Sequence, residues 1–323
     1  MNKEDKVLIV DSMNLFIRNF IVNPKLGSGG EPMGGVFGFL SSLQKLSREI
    51  KPNMIVLCYD GVGGSKRRRR MFSGYKDGRK PVRLNRSINQ GLSSDEEEVN
   101  KNIQFIKLIE YLNDMPVIQL ILDDVEADDI IARVCNLKSL QGKMKLIISS
   151  DKDFIQLCNQ EVFLVRPVQK EVLNVPRILD KFSIHPNNFA VARAIVGDKS
   201  DNLDGISGAG LKTVAKRFPF LKEEKSYLLG EIFDYCIENK GKFKLFEDIL
   251  DNKDKTLLNY KMMQLYVPNI SAQASTKIKY VFDNFKPSFR KMDIIKKMAK
   301  DGFLDYNWDS LFQTFKLISS SEI

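Results

Sequence analysis

Three apolar runs end in aspartate: VLIV leads into Asp11, MIVLCY into Asp60, and KLIISS into Asp151, with Asp153 two residues further on. A fourth acidic group, Glu126-Ala127-Asp128-Asp129, follows the apolar run at 117–122, and the i, i+3 spacing of Glu126 and Asp129 puts them on one helical face. Taken singly, such residues read as turn caps or as a helix start matched to its dipole. Gathered at one edge, they would repel one another unless cations neutralised them, and carboxylate oxygens suit magnesium or manganese. Several together could hold two ions about 4 Å apart, the spacing that activates water and stabilises a leaving oxygen in phosphodiester hydrolysis. The only histidine, His185, precedes Pro186 and reads as a helix-entry residue, which argues against a Ser-His-Asp triad or a histidine-rich zinc site.

The elements that must position these groups are legible as alternation. Short apolar runs at 7–10, 54–59, 117–122, 146–148 and 162–165 alternate with longer stretches of helical periodicity, an α/β pattern. The runs are apolar on both parities, which predicts a mainly parallel central sheet flanked by helices, with sites beyond the carboxyl ends of its strands. Ser93 and the acids after it predict an N-cap and a helix over 95–113. The stretch 61–94 before that helix is glycine-containing and basic, an excursion from the core that reads as mobile. Strand signals fade beyond about residue 180, so the expected division is an α/β catalytic part at 1–180 and a helical part at 181–323.

Fifty Lys and Arg against forty-one Asp and Glu leave a net charge of +9, which favours a polyanionic partner. The positive charge is densest at Lys66-Arg67-Arg68-Arg69-Arg70, read here as a phosphate-gripping run with a solvated charge run as the alternative. Cys58, Cys135, Cys158 and Cys236 show no C-x-x-C spacing, so neither a zinc knuckle nor a disulfide framework is predicted, and reduced thiols in a cytoplasm fit. No run approaches the roughly 20 apolar residues of a membrane span, which predicts a soluble protein with no membrane partner.

The strongest local signal is the turn Gly197-Asp198-Lys199-Ser200-Asp201-Asn202 and the glycine hairpin after it, Gly205 to Gly210, running into Leu211-Lys212-Thr213. The glycines have P-loop spacing, but Leu211 stands where the lysine belongs and no strand leads in, so a nucleotide loop is disfavoured. The alternative is a helix-hairpin-helix whose small residues let backbone amides approach a DNA phosphate at a helix N-terminus.

With VLIVDSMNLFIR at the start, YDG at Asp60, YKDGR from Tyr75 to Arg79, EADD, SSDKDFIQL and GDKSDN in this order, the chain resembles the 5′-nuclease family. That family includes flap endonucleases, the 5′-exonuclease domain of bacterial DNA polymerase I and phage ribonuclease H enzymes, and in length the chain is most similar to the T-even phage branch. The resemblance implies a PIN-like 5′-nuclease core and a helical region with a DNA-binding hairpin around 197–217. It implies two magnesium ions, replaceable by manganese, held among Asp11, Asp60, Glu126, Asp128, Asp129, Asp151, Asp153, Asp198 and Asp201. Asp11, Asp60, Glu126 and Asp128 are expected nearer one ion and Asp151, Asp153 and Asp201 nearer the other, with Asp129 and Asp198 acting through water.

The same resemblance makes 61–94 an arch over the site, through which a single-stranded 5′ end threads. Lys76 is then expected to polarise the scissile phosphate, Arg69 and Arg79 to clamp neighbouring phosphates, and Tyr75 to stack on a base. Gly205, Gly208 and Gly210 are expected against the duplex, with potassium on the hairpin carbonyls. Asp204, Ser207 and Leu211 depart from the pattern of many relatives there, and Lys212, Lys216 and Arg217 are expected to compensate for the acid. The implied activity is 5′-3′ exonuclease, flap endonuclease and ribonuclease H cleavage in primer and flap removal, on DNA or RNA:DNA with a 5′ single-stranded end. A monomer working beside a sliding clamp and a single-strand-binding protein is implied, with 319–323 or the outer helices as docking elements. Two rivals stay open: a catalytically silent DNA-binding module, and a PIN-like ribonuclease without the hairpin.

Overall fold

The computed structural model describes residues 5–85, 87, 88, 91–303 and 306–319. Its main sheet comprises β1 (Lys6–Asp11), β2 (Met54–Tyr59), β3 (Ile118–Ile121), β4 (Met144–Ile148), β5 (Val162–Arg166) and β6 (Glu171–Leu173) in the order β3-β2-β1-β4-β5-β6. The first five are parallel, and β6 closes the edge antiparallel to β5. The short and partly polar β6 was not expected from the sequence, because three residues are too few to show a period. A separate two-stranded ladder pairs β7 (Gly197–Asp198) with β8 (Leu203–Asp204).

Both faces of the sheet are covered, as the unbroken apolar runs require. Val7 and Ile9 of β1 pack into one core cluster and Leu8 and Val10 into another, and all four are essentially inaccessible to solvent. Each such side chain contributes roughly 2 kcal/mol of burial. The helices are α1 (Ser12–Val22), α2 (Gly34–Ile50), α3 (Lys66–Met71), α4 (Ser94–Leu112), α5 (Ala127–Cys135), α6 (Val175–Phe182), α7 (Phe189–Val196) and α8 (Leu211–Arg217). They continue with α9 (Leu229–Glu238), α10 (Lys244–Asp251), α11 (Lys253–Met263), α12 (Ala272–Asn284), α13 (Lys291–Lys300) and α14 (Trp308–Ser319). The cluster containing Val7 continues through α5 into α7, α9 and α10, so sheet and helical region share one core. The cluster containing Leu8 takes in α1, α2 and α4 together with Ile294, Met298, Leu311 and Phe315, so the last two helices return to the opposite sheet face.

Local signals set several boundaries. Asp11 ends β1 and caps α1, its carboxylate accepting from the Asn14 amide. Ser93 and Glu96 form a reciprocal capping box at the start of α4. Buried Gln104 of α4 accepts from the amides of Gly35 (2.8 Å) and Val36 (3.3 Å), two donors that the first turn of α2 cannot satisfy itself. Strand order reverses between β1 and β4, so the carboxyl ends of those neighbours, Asp11 and Asp151, flank the topological switch point where open α/β sheets form their clefts.

Candidate active site

The aspartates that follow β1, β2 and β4 stand along one edge of adjacent parallel strands. Asp11 is buried, accepts from Ser149 Oγ (2.8 Å) and the Asn14 amide (3.2 Å), and its carboxyl is pushed up to about 7, first by burial and then by Asp60 and Asp151. Asp60 accepts from the Ala127 amide (2.8 Å) through one oxygen, which fixes α5 against the strand end. Asp151 accepts from the Asp153 amide (2.8 Å) through one oxygen. Asp128 receives no hydrogen bond among the described residues, and burial with Asp151 and Asp11 beside it holds its carboxyl well above the usual range. Asp153 is likewise raised to about 7, by burial and by Asp151. Desolvation and mutual repulsion thus act together at this edge.

Arginine and lysine side chains offset part of that charge. Arg68, 3% exposed, donates to Glu126 and Asp129 and, through Nε, to the Met262 carbonyl (2.9 Å). Burial would lower Arg68, but Asp129 and Glu126 outweigh it and hold the guanidinium above its ordinary value. Lys76 donates to the other oxygen of Glu126, as does the Tyr75 hydroxyl (3.4 Å). Arg193 donates to Asp153 (2.7 Å), to Asp198 and to the Gly197 carbonyl (2.9 Å). Arg79 pairs with Asp201 and donates to the Ser200 carbonyl (3.0 Å).

These bonds divide the nine expected ion-holding residues. Glu126, Asp129 and Asp198 spend both oxygens on protein donors that include a cation: Asp129 also accepts from the Asn269 amide (2.8 Å), and Asp198 from the Ser200 amide (2.8 Å) and hydroxyl (2.7 Å), whereas Asp11 accepts at both oxygens from neutral donors alone, Asn14 and Ser149. Asp129 therefore stands as the anchor of Arg68, not as an open ligand. Among the described residues Asp60, Asp128, Asp151, Asp153 and Asp201 each keep at least one oxygen with no protein donor, and Ser150 Oγ, next to Asp151, is buried without a partner. An all-oxygen donor set of this kind fits a hard divalent cation. Among the described residues, no three acidic, histidine or cysteine side chains close around a single point, so the edge is open as it stands.

The stretch after β2 corrects two expectations. Residues 66–79 are not a loose excursion: α3 is seated by Arg68, the Lys76 amide donates to the Asp201 carbonyl (3.0 Å), and Asn202 Nδ2 donates to the Gly74 carbonyl (2.9 Å). Tyr75 is not placed to stack on a base, because its ring is 2% exposed among Leu203, Met262 and Met263. Arg69 remains outside, paired with Asp77 (3.1 Å) on the surface, where a phosphate could compete for it. The basic run is thus divided, one guanidinium turned inward and its neighbours outward.

In the hairpin, an added methyl on Gly205 would meet the Val196 carbonyl oxygen at 1.9 Å, so that glycine is demanded by close packing of β8 on the end of α7 and not by DNA. Gly208 adopts φ of +73°, the turn conformation that glycine supplies, and Gly210 has open space at its Cα where it caps α8. The hairpin backbone, with Asp204, Lys199, Asp248, Asn252 and Lys255, lines an open groove of about 770 Å³. Lys212 and Lys216 are exposed on one face of α8, whereas the half-buried Arg217 stacks on Phe243, 3.5 Å from the ring centroid. Residues 320–323 and the side chain of Ser319 lie outside the described residues, so the expected docking tail has no structural account.

Arg193 and Arg68 were not singled out from the sequence. Arg193 had a signal, a lone charge in the otherwise apolar FAVARAIV, since a buried charge demands a partner. Ser149 was also missed, although the SSD segment places it two residues before Asp151.

Residues 6–183 match the family model described as 5′-3′ exonuclease, N-terminal resolvase-like domain. A 5′-3′ exonuclease of Aquifex aeolicus is 30% identical over 259 residues, covering 80% of this chain and 81% of that protein. A thermostable DNA polymerase I of Thermus aquaticus is 30% identical over 212 residues, covering 65% of this chain but only 23% of the polymerase. In fold, the chain is similar to a bacteriophage T5 flap endonuclease solved as a pseudo-enzyme–product complex with DNA and metal ions, at a TM-score of 0.67 and 19% identity, covering 91% of this chain and 99% of that one.

Proposed function

The chain belongs to the 5′-3′ exonuclease family and is a phosphodiester hydrolase, and we propose that it is a structure-specific 5′-nuclease that removes RNA primers and 5′ flaps during DNA replication. The observation that carries this reading is the strand-end edge, where Asp60, Asp128, Asp151 and Asp153 keep oxygens unspent while Lys76 stands at the adjoining Glu126. Magnesium, or manganese in its place, is the cofactor class that this donor set would hold, with Asp11, Asp60, Asp128, Asp151, Asp153 and Asp201 as its residues. Such ions supply Lewis acidity and a nucleophile from water at neutral pH.

The chain's own residues account for binding and orientation. Lys76, released from Glu126 when a phosphate arrives, offers a charge-assisted donor where negative charge builds on the scissile group. Arg79 and Arg69 stand in partly exposed ion pairs with Asp201 and Asp77, and the Nε bond of Arg79 to the Ser200 carbonyl leaves its outer nitrogens to exchange one anion for another at small cost. Gly208, Gly210, Lys212 and Lys216 offer amides and surface charge to a duplex backbone, which fixes the distance between the gripped duplex and the strand-end edge. Within this reading residues 1–180 carry most of the chemistry, joined by Asp201, and 181–323 grip the duplex, and the enzyme works as a monomer.

The test is cleavage of a 5′-labelled flap duplex and of an RNA:DNA duplex with magnesium, and again with EDTA. Short 5′ fragments from either substrate, appearing only with the cation, are the expected result. Binding of both without any cleavage would support a silent duplex-binding module instead.

A further inference from the structure

Arg68 is one of four consecutive arginines, yet it alone among them is buried, and its guanidinium joins three segments distant in sequence. Nε meets the carbonyl at the end of α11, and the remaining nitrogens meet Glu126 and Asp129 at the start of α5. It leaves no face for a phosphate. Glu126 is shared with Lys76, so the position of Lys76 is set by a carboxylate that Arg68 holds from the other side. The segment that begins at this fork is seated further along the chain by contacts of Gly74, Lys76 and Arg79 with residues 200–202.

Resting on the nuclease reading above, we propose that Arg68 is a positioning residue: it seats the base of the segment 66–79 so that Lys76 stands at the strand-end carboxylates. Planar, bidentate contact is what it supplies, and lysine does not reproduce that geometry. Asp129 is its anchor, held in turn by the Asn269 amide.

The experiment compares the full-length wild type with Arg68→Lys, Arg68→Gln and Asp129→Asn, all with magnesium, on a 5′-flap duplex. Single-turnover cleavage at saturating enzyme gives the rate, and fluorescence anisotropy in EDTA gives substrate affinity. The expected result is a rate at least 100-fold lower in each variant with affinity within threefold. Adding Arg68→Lys to Lys76→Ala should cost less than a further threefold, because the two act through one geometry. A folded Arg68→Lys that cleaves within threefold of wild type reduces the residue to a structural ion pair and overturns the proposal. Parallel loss of affinity and rate makes it a phosphate contact, and fully multiplicative losses in the double variant make it independent of Lys76; both also overturn it. Where the Arg68 variants fail to fold by circular dichroism, Asp129→Asn decides, since asparagine keeps an acceptor for the Asn269 amide while confronting Arg68 with a donor. Absence of cleavage by the wild type is a failure of the nuclease reading itself, and is separable from a wild type that cleaves beside an unaffected Arg68→Lys.

Discussion

Asp11→Asn should inactivate the enzyme and, without divalent cations, make it more stable at alkaline pH. Asp11 is 8% exposed, and burial followed by Asp60 and Asp151 lifts its carboxyl from 3.8 to about 7 against the opposing hydrogen bonds from Ser149 and Asn14. The folded chain therefore holds this proton more tightly than the unfolded chain. The contribution of Asp11 to stability is highest below about pH 4, declines as pH rises toward 7, and above that carries the whole cost of an anion in the wrong place. One pH unit of displacement is worth about 1.4 kcal/mol, so even half of the displacement amounts to about 2 kcal/mol, or roughly 3 °C in melting temperature for a chain of this size. Asparagine keeps the acceptor that caps α1 and has no charge to bury.

Thermal unfolding in EDTA, followed by circular dichroism at about pH 5.5 and about pH 8, measures the effect. The wild type should melt lower at the higher pH. Asp11→Asn should show a shallower decline and exceed the wild type by about 3 °C at pH 8, while Asp153, also raised to about 7, preserves part of the slope. The only histidine cannot produce this trend, since burial lowers His185 and its contribution therefore grows with pH. Glu126 and Asp198 are lowered despite their burial, by Arg68 and Lys76 in one case and by Ser200 and Arg193 in the other, and titrate below the window. Magnesium should raise the wild-type melting temperature more at pH 8 than at pH 5.5. An Asp11→Asn protein no more stable than wild type in EDTA at pH 8 would refute the account of the edge as mutually repelling carboxylates.

Asp151→Asn keeps the acceptor for the Asp153 amide, so flap affinity in EDTA should stay within about twofold while single-turnover cleavage with magnesium falls by about 1000-fold or more; equal loss of both in a folded variant would contradict its assignment. Lys76→Ala should slow single-turnover cleavage about 100-fold with a smaller change in duplex affinity, and an unchanged rate would remove Lys76 from the chemistry. Gly205→Ala should destabilise the protein by about 3 kcal/mol in urea unfolding, because its methyl would strike the Val196 carbonyl. Gly210→Ala, with open space at that position, should leave unfolding unchanged and weaken duplex binding about fivefold, the value of about one backbone hydrogen bond.

The sheet was legible because burial on both faces writes itself as runs apolar on both parities, and the edge was legible because three of those runs, leading to Asp11, Asp60 and Asp151, stop at an acid. The same feature hid β6, whose three residues at the sheet margin alternate too briefly to register. The acidic positions could be read, but not the division among them. Which of those carboxylates retain free oxygens depends on cations arriving from other segments: Arg193 from α7, Arg68 from α3, Arg79 from the turn beyond it. Arg193 could have been inferred, since an arginine within FAVARAIV must be paired if that helix is buried. Arg68 could not. Lys66–Met71 presents charge at every position before Met71, and nothing in its composition separates the side chain that faces Glu126 from those that face water. That selection is made by the approach of α5 and of the end of α11, which leaves room and two carboxylates for a single guanidinium. A run of like charges thus reports that a surface meets an anion, while the partner of each member, a phosphate outside or an aspartate within, is decided by packing.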